Sequence, residues 1–128
     1  MCIRDRIVAA RGHYPAIDVL ESLSRLMPEV AGPEHLEAAR VVRELLAAYR
    51  DHEDLISIGA YRRGSNSLVD TAIEVRDEIN AFLRQAVEEP ATLEDSRKAL
   101  LELAQRAQQI RQTKKAAAAP PRPAPPKP

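Results

Sequence analysis

Apolar residues return at helical spacing in three separate runs, and that periodicity restricts the chain to a helical architecture more tightly than any other feature of its sequence. Leu36, Ala39, Val42, Leu45, Leu46, Tyr49 and Ile56 make the first stripe. Leu68, Ala72, Val75, Ile79, Phe82 and Leu83 make the second, and Leu93, Leu100, Leu103, Ala107 and Ile110 the third. Gly32 and Pro33 announce the first helix, because proline suits the first helical position and Glu34 and Glu37 suit the positive end of the dipole. Gly59 is its expected stop, and Arg40, Arg43, Glu44, Arg50 and Asp51 read as its solvated face. A loop rich in turn residues, 59–66, leads to Ser67, which with Asp70 three positions on approximates a capping box. Pro90 ends the second helical region and Thr92 can cap the third. Aromatic residues are 3% of the chain, with no Trp, while Ala, Leu, Glu and Arg dominate, which favours helix over sheet. The expected fold class is all-α, with about three main helices around a thin core.

The first thirty residues follow a different logic. Residues 1–6 resemble translated adaptor sequence and are set aside from fold reasoning as a non-native leader. Ile7 to Arg11 suit the last turns of a helix, with Gly12 in the left-handed position just past its end. In Gly12-His13-Tyr14-Pro15-Ala16-Ile17-Asp18, the proline fixes its own φ and pushes Tyr14 out of the helical region, so the ring is presented from stiff backbone. Leu20, Leu23 and Met27 have helical spacing, which predicts a short helix over 19–27 that stops before Pro28.

Charge divides the chain in two. Residues 1–110 hold 14 Lys or Arg against 19 Asp or Glu, a net charge of −5, whereas residues 111–128 hold five basic residues and no acid. An acidic body argues against a nucleic-acid function, which wants a basic face. From Thr113 on, lysines, four alanines and six prolines lack what a core requires, so 112–128 read as a disordered Lys/Ala/Pro-rich tail. Cys2 is the lone cysteine, which excludes a disulfide framework and fits a reducing compartment. The apolar runs are too short for a transmembrane segment, and the chain reads as cytoplasmic.

Self-contained chemistry is absent from the sequence. There is no phosphate loop ending in Lys-Ser or Lys-Thr, no His pair with metal spacing and no Ser/His/Asp constellation. His35 and His52 read as surface or boundary residues, Tyr49 as core, and no metal site is expected.

Several ordered motifs nonetheless carry a resemblance. The Gly12–Asp18 segment, then Ser22-Leu23-Ser24-Arg25-Leu26-Met27-Pro28, then Ile58-Gly59-Ala60-Tyr61 and Gly64-Ser65-Asn66, resemble the C-terminal part of the flagellar and type III secretion export ATPases, relatives of the catalytic subunit of rotary F-type ATPases. The likeness covers about Ile7 to Leu103. It implies that residues 7–31 are the end of an α/β RecA-like nucleotide domain and that 32–111 form the small C-terminal helical domain behind it. The phosphate loop, catalytic glutamate and magnesium-binding positions of that family belong to the preceding domain, so the chain alone is expected to be inactive. The resemblance implies ATP and Mg²⁺ as cofactors of the full-length enzyme, a homohexamer ring of identical subunits, a coiled-coil stalk protein inside that ring, export substrates and chaperones as partners, and a place at the cytoplasmic face of the export apparatus.

The same resemblance gives roles to individual residues. Tyr14 matches the aromatic that packs on adenine, where stacking contributes on the order of 1–3 kcal/mol; on the residues alone it is a core tyrosine beside Pro15. Arg25 matches the trans arginine finger of the neighbouring subunit's site, an interaction that contributes roughly 10³–10⁵ in rate; on the residues alone it pairs with Glu21 four positions back. Leu93 stands where the family often has an aromatic that closes the adenine pocket, which leaves apolar packing rather than stacking. Arg62 and Arg63 match the loop that meets the stalk, where exposed charges steer and register a partner, and read alternatively as solvated turn residues. The rival from another class is a stand-alone helical adaptor with a proline-rich tail.

Overall fold

Three long helices carry the core in the order that the apolar spacing anticipates. The computed structural model describes residues 3–117, and its elements are α1 (Ile3–Ala10), α2 (Met27–Val30), α3 (Pro33–Ser57), α4 (Ser67–Leu83) and α5 (Leu93–Ala117). Among the described residues there is no strand, and no helix is long and apolar enough to cross a membrane.

The ends of α3 follow their local chemistry. Gly32 is extended at the N-cap and Pro33 opens the first turn, where its missing N–H is one that the helix would leave unpaired anyway. At the other end Gly59 takes φ +71°; its N–H donates to the Ile56 carbonyl at 3.1 Å and the Ala60 N–H to the Leu55 carbonyl at 2.9 Å. That paired closure is a Schellman motif. Gly12 closes α1 in the same way, at φ +67°, with His13 N–H donating to the Val8 carbonyl.

α4 begins differently from the expectation. Asn66, not Ser67, is the N-cap, its side-chain oxygen accepting from the Leu68 and Val69 N–H groups at 2.9 and 3.4 Å. Asp70 is thereby released from capping and is buried for another purpose described below. α5 is capped as expected: the Thr92 hydroxyl oxygen accepts from the Asp95 N–H at 3.1 Å and the hydroxyl donates to the Asp95 carboxylate. Beyond Ile110 the helix continues to Ala117, so the first residues assigned to a disordered tail are helical. Lysine and alanine are strong helix formers, cations suit a helix C-terminus, and Lys114 pairs with Glu74 of α4 at 2.6 Å. The rest of that predicted tail lies outside the described residues.

Each long helix packs on the other two. Val42 and Leu45 of α3, Val75 and Ile79 of α4, and Leu103 and Ala107 of α5 meet in one cluster, with Ala38, Ala72 and Ala104 filling the close approaches between backbones. The stripe of α3 is rotated from the expected one: Ala38, Val41 and Ala48 are buried, because this helix faces two partners and needs a wider apolar sector than one stripe provides.

The expected helix over 19–27 does not form. The Asp18 carboxylate accepts from the Leu20 and Glu21 N–H groups, and the Ser22 hydroxyl donates to the Asp18 carbonyl at 2.6 Å. Short polar side chains here give the backbone an alternative to the helix. α2 starts instead at Met27 and takes Pro28 into its first turn. The chain from Arg11 to Gly32 therefore forms an arm that runs antiparallel to α3, with Arg11 near Glu53, Asp18 at Arg50, and Leu20 at Arg43.

Candidate functional site

The arm presents the residues that the sequence singles out. His13 and Ile17 both contact the Pro15 carbonyl, at 3.2 and 2.8 Å, which folds 13–17 into a tight bend with a cis Tyr14–Pro15 bond. The Tyr14 carbonyl accepts from the Gln85 N–H at 3.0 Å, in the linker between α4 and α5. Its backbone is thus tied to the bundle while its side of the bend stays open: Tyr14 is 57% exposed and is not a core tyrosine. That linker ends at Leu93, which is 80% exposed and does not join the stripe of α5; apolar packing of that helix starts at Leu100. Tyr14 and Leu93 are accordingly two uncovered side chains joined through one hydrogen-bonded linker.

Asp18 and Glu21 hold the arm to α3 through Arg50. Arg50 Nη2 lies 3.0 Å from both Asp18 carboxylate oxygens and Nη1 lies 3.3 Å from Glu21 Oε1. The Asp18 side chain is only 16% exposed. That partial burial pushes its carboxyl up, but the Arg50 hydrogen bond, the N–H groups of Glu21 and Leu20 and the Arg50 charge outweigh it, and the group sits below its ordinary value. Arg50 thus stays on the exposed face of α3, its side chain 46% exposed, and from there binds the arm. Spacing on α3 alone carries no signal for this contact, since its partners are some thirty residues away; the acidic pair at 18 and 21 was the available hint.

Glu21 is committed to Arg50, so the local pair with Arg25 is not made. Arg25 is exposed and forms no ion pair or side-chain hydrogen bond among the described residues. It sits on a short exposed span between the Asp18 turn and α2. The turn lies between Tyr14 and Arg25 in the chain.

Arg62 and Arg63 occupy the turn between α3 and α4, both exposed. The Arg62 carbonyl accepts from the N–H and hydroxyl of Ser65 at 3.2 and 2.7 Å, and the buried Asp70 carboxylate accepts from the Tyr61 hydroxyl and the Gly64 N–H. His52 of α3 meets the Tyr61 ring edge-on. This turn and the Leu93 linker lie at opposite ends of α4, about 25 Å apart for a helix of 17 residues.

A cavity of about 310 Å³ opens beneath the arm, lined by Val8, Ile17 and Leu20 on one side and by Tyr49, Arg76 and Ile79 on the other. Arg76 stacks its guanidinium over the Tyr49 ring at 4.6 Å, and Tyr49, packed against the core as expected, also lines this cavity. Tyr14, Arg25 and Leu93 are not among its lining. No group of three His, Cys, Asp or Glu among the described residues is placed to hold a metal ion.

The helical fold is shared with known proteins. The family described as T3SS EscN ATPase C-terminal domain matches residues 31–102. The flagellum-specific ATP synthase of Bacillus subtilis is 46% identical over 101 residues, 79% of this chain and 23% of that protein. The type 3 secretion system ATPase of Pseudomonas savastanoi pv. phaseolicola is 44% identical over 104 residues, 81% of this chain and 23% of its own length. The assembled ATPase EscN of the enteropathogenic E. coli type III secretion system superimposes with a TM-score of 0.74 at 36% identity, covering 77% of this chain and 24% of that one. The chain thus spans about a quarter of the length of the relatives it matches.

Proposed function

The chain belongs to the family of type III secretion and flagellar ATPases, through the C-terminal domain of that family, and from that premise we propose that it supplies the C-terminal part of an ATPase that energises protein export. Tyr14 offers its aromatic face to the adenine of its own subunit's ATP, with Leu93 as an apolar flank. Arg25 reaches the phosphates bound by the neighbouring subunit of a hexameric ring. Arg62 and Arg63 face a coiled-coil stalk protein inside that ring, and the export substrates and their chaperones are handled by the assembled enzyme.

The observation that carries this reading is the division of labour on the arm. Tyr14 and Arg25 are both exposed, Arg25 has no ion pair or side-chain hydrogen bond among the described residues, and a hydrogen-bonded turn lies between them in the chain. An exposed ring and an uncommitted guanidinium, separated in this way, suit two different nucleotides better than one. The residues present fit a nucleobase and one phosphate anion; a phosphate cradle and Mg²⁺ ligands fall to the nucleotide domain, where ATP hydrolysis is carried out. In such a site this chain's own contribution is to hold the base and to place positive charge where the transferred phosphoryl group develops negative charge.

Arg25→Ala in the full-length enzyme tests this. Nucleotide affinity is expected to stay within a few-fold while hydrolysis falls by roughly 10³ or more. Normal turnover overturns the assignment.

A further inference from the structure

We propose that Arg50 of α3 is a positioning residue for Arg25, a guanidinium in the helical domain that sets where the arginine of the arm can reach. The inference rests on the proposed role of Arg25 and adds to it a link between the orientation of the helical domain and the competence of the neighbour's site.

The span from Leu23 to Leu26, which carries Arg25, is held only at its end, where the Leu26 carbonyl accepts from the Glu29 and Val30 N–H groups of α2. All four residues are exposed, and their place is set by what lies at either end. One end is the Asp18 turn and the other is α2, which is followed after Ala31 by the N-cap Gly32 of α3. Both ends are thus referred to α3, one by covalent continuity and the other through Arg50. From Pro33 to Arg50 the helix covers about 25 Å, so the arm is pinned to one rigid rod at two distant points.

Among the polar contacts of the arm with α3, Arg50 supplies most of the second pin. It makes three contacts of 3.0, 3.0 and 3.3 Å with two carboxylates. The Arg43 contact to the Leu20 carbonyl is 3.5 Å and the Arg11–Glu53 pair is 3.7 Å, both longer and each a single contact. The turn itself does not need Arg50, because the Leu20 and Glu21 N–H groups and the Ser22 hydroxyl close it internally. Removing Arg50 therefore leaves the local shape and loses the placement. A planar fork that reaches two acids at once is a task for arginine, which lysine meets only in part. Misplacing a charge by about 1 Å at a reacting phosphate can cost roughly 10²-fold in rate. Tyr14 is held separately by Gln85, so base binding is insulated from the change.

The test is steady-state hydrolysis by the full-length enzyme carrying Arg50→Ala, Arg50→Lys, Arg25→Ala or the Arg25→Ala/Arg50→Ala pair. Arg50→Ala is expected to lower kcat by roughly 10- to 100-fold with KM for ATP within about threefold, and Arg50→Lys to recover part of the loss. The pair is expected to be no slower than Arg25→Ala alone, because both changes remove one interaction; a loss of stability or of active molecules would instead multiply. If Arg25→Ala is inactive while Arg50→Ala keeps its full kcat, the positioning role is overturned and the role of Arg25 stands. If Arg25→Ala turns over normally, the role of Arg25 itself fails. A multiplicative pair, or a fall in kcat that tracks loss of ring assembly by light scattering, overturns the inference as well.

Discussion

The Tyr61 hydroxyl donates to the Asp70 carboxylate at 3.1 Å, and this contact makes the loop between α3 and α4 a product of the helix that follows it. The second carboxylate oxygen accepts from the Gly64 N–H at 2.8 Å, so one buried acid of α4 closes the turn that displays Arg62 and Arg63. Such a turn holds its two arginines through the backbone, with no hydrogen bond or ion pair to either side chain among the described residues.

Asp70→Ala is expected to lower stability by about 2 kcal/mol, since it deletes two hydrogen bonds to a buried charge and leaves the Gly64 N–H without its acceptor. Tyr61→Phe removes one of those bonds and should cost about 1 kcal/mol. Urea denaturation of the chain measures both, and amide exchange at Gly64 should accelerate in Asp70→Ala and not in Tyr61→Phe.

Tyr14→Ala in the full-length enzyme should raise KM for ATP by roughly 5- to 150-fold, the equivalent of one stacked base. Tyr14→Phe keeps the ring and should bind normally. Because the side chain is more than half exposed, thermal unfolding of either variant should stay close to that of the parent; a large fall in Tm would mark Tyr14 as a packing residue instead.

The arm should loosen in acid. The Asp18 carboxyl has a folded-state value below its ordinary 3.8, so it stabilises the docked arm at pH values above about 4 and loses that contribution as the pH falls through the folded value. Amide protection at Leu20 and Glu21, whose N–H groups bind this carboxylate, reports the change. In Asp18→Asn protection should already be low at neutral pH and should no longer respond to acid.

Ile79 and Leu93 are similar in size and opposite in consequence. Ile79 is 1% exposed in the middle of the core, and Ile79→Ala should cost about 2–5 kcal/mol. Leu93→Ala, at a largely exposed site, should change stability by no more than about 0.5 kcal/mol. Chemical denaturation of the two variants side by side separates them.

The three long helices were legible because each combines a capping residue with an apolar repeat, two local signals that agree. Gly12 and Gly59 announced their helix ends for a physical reason that also survives in the structure: both sit at positive φ. What sequence reasoning missed is where local signals compete. Leu20, Leu23 and Met27 keep helical spacing, yet Asp18 and Ser22 claim the backbone between them. Ser67 and Asp70 have capping-box spacing, yet Asn66 one position earlier caps better and leaves Asp70 to the loop. Arg50 was unreadable for a different reason. Its partners lie 29 and 32 positions away, and no periodicity on one helix encodes a contact with a loop. Tyr14 and Arg25 stand out only through the resemblance to a family motif; the residues alone favour a core ring and a local ion pair, and among the described residues the structure contains neither.

The antiparallel course of the arm also fixes an order of assembly. The bundle is built from helices joined by short connections, the class of contacts that forms within microseconds to milliseconds. The arm gains little until α3 exists, because Glu53, Arg50 and Arg43 line up only once that helix is wound. Docking is then a late step sealed largely by charged side chains, and the same segment should detach before the three-helix bundle in native-state exchange. The part of the molecule that carries Tyr14 and Arg25 is therefore expected to open before the three-helix bundle does, while the helices behind it stay folded.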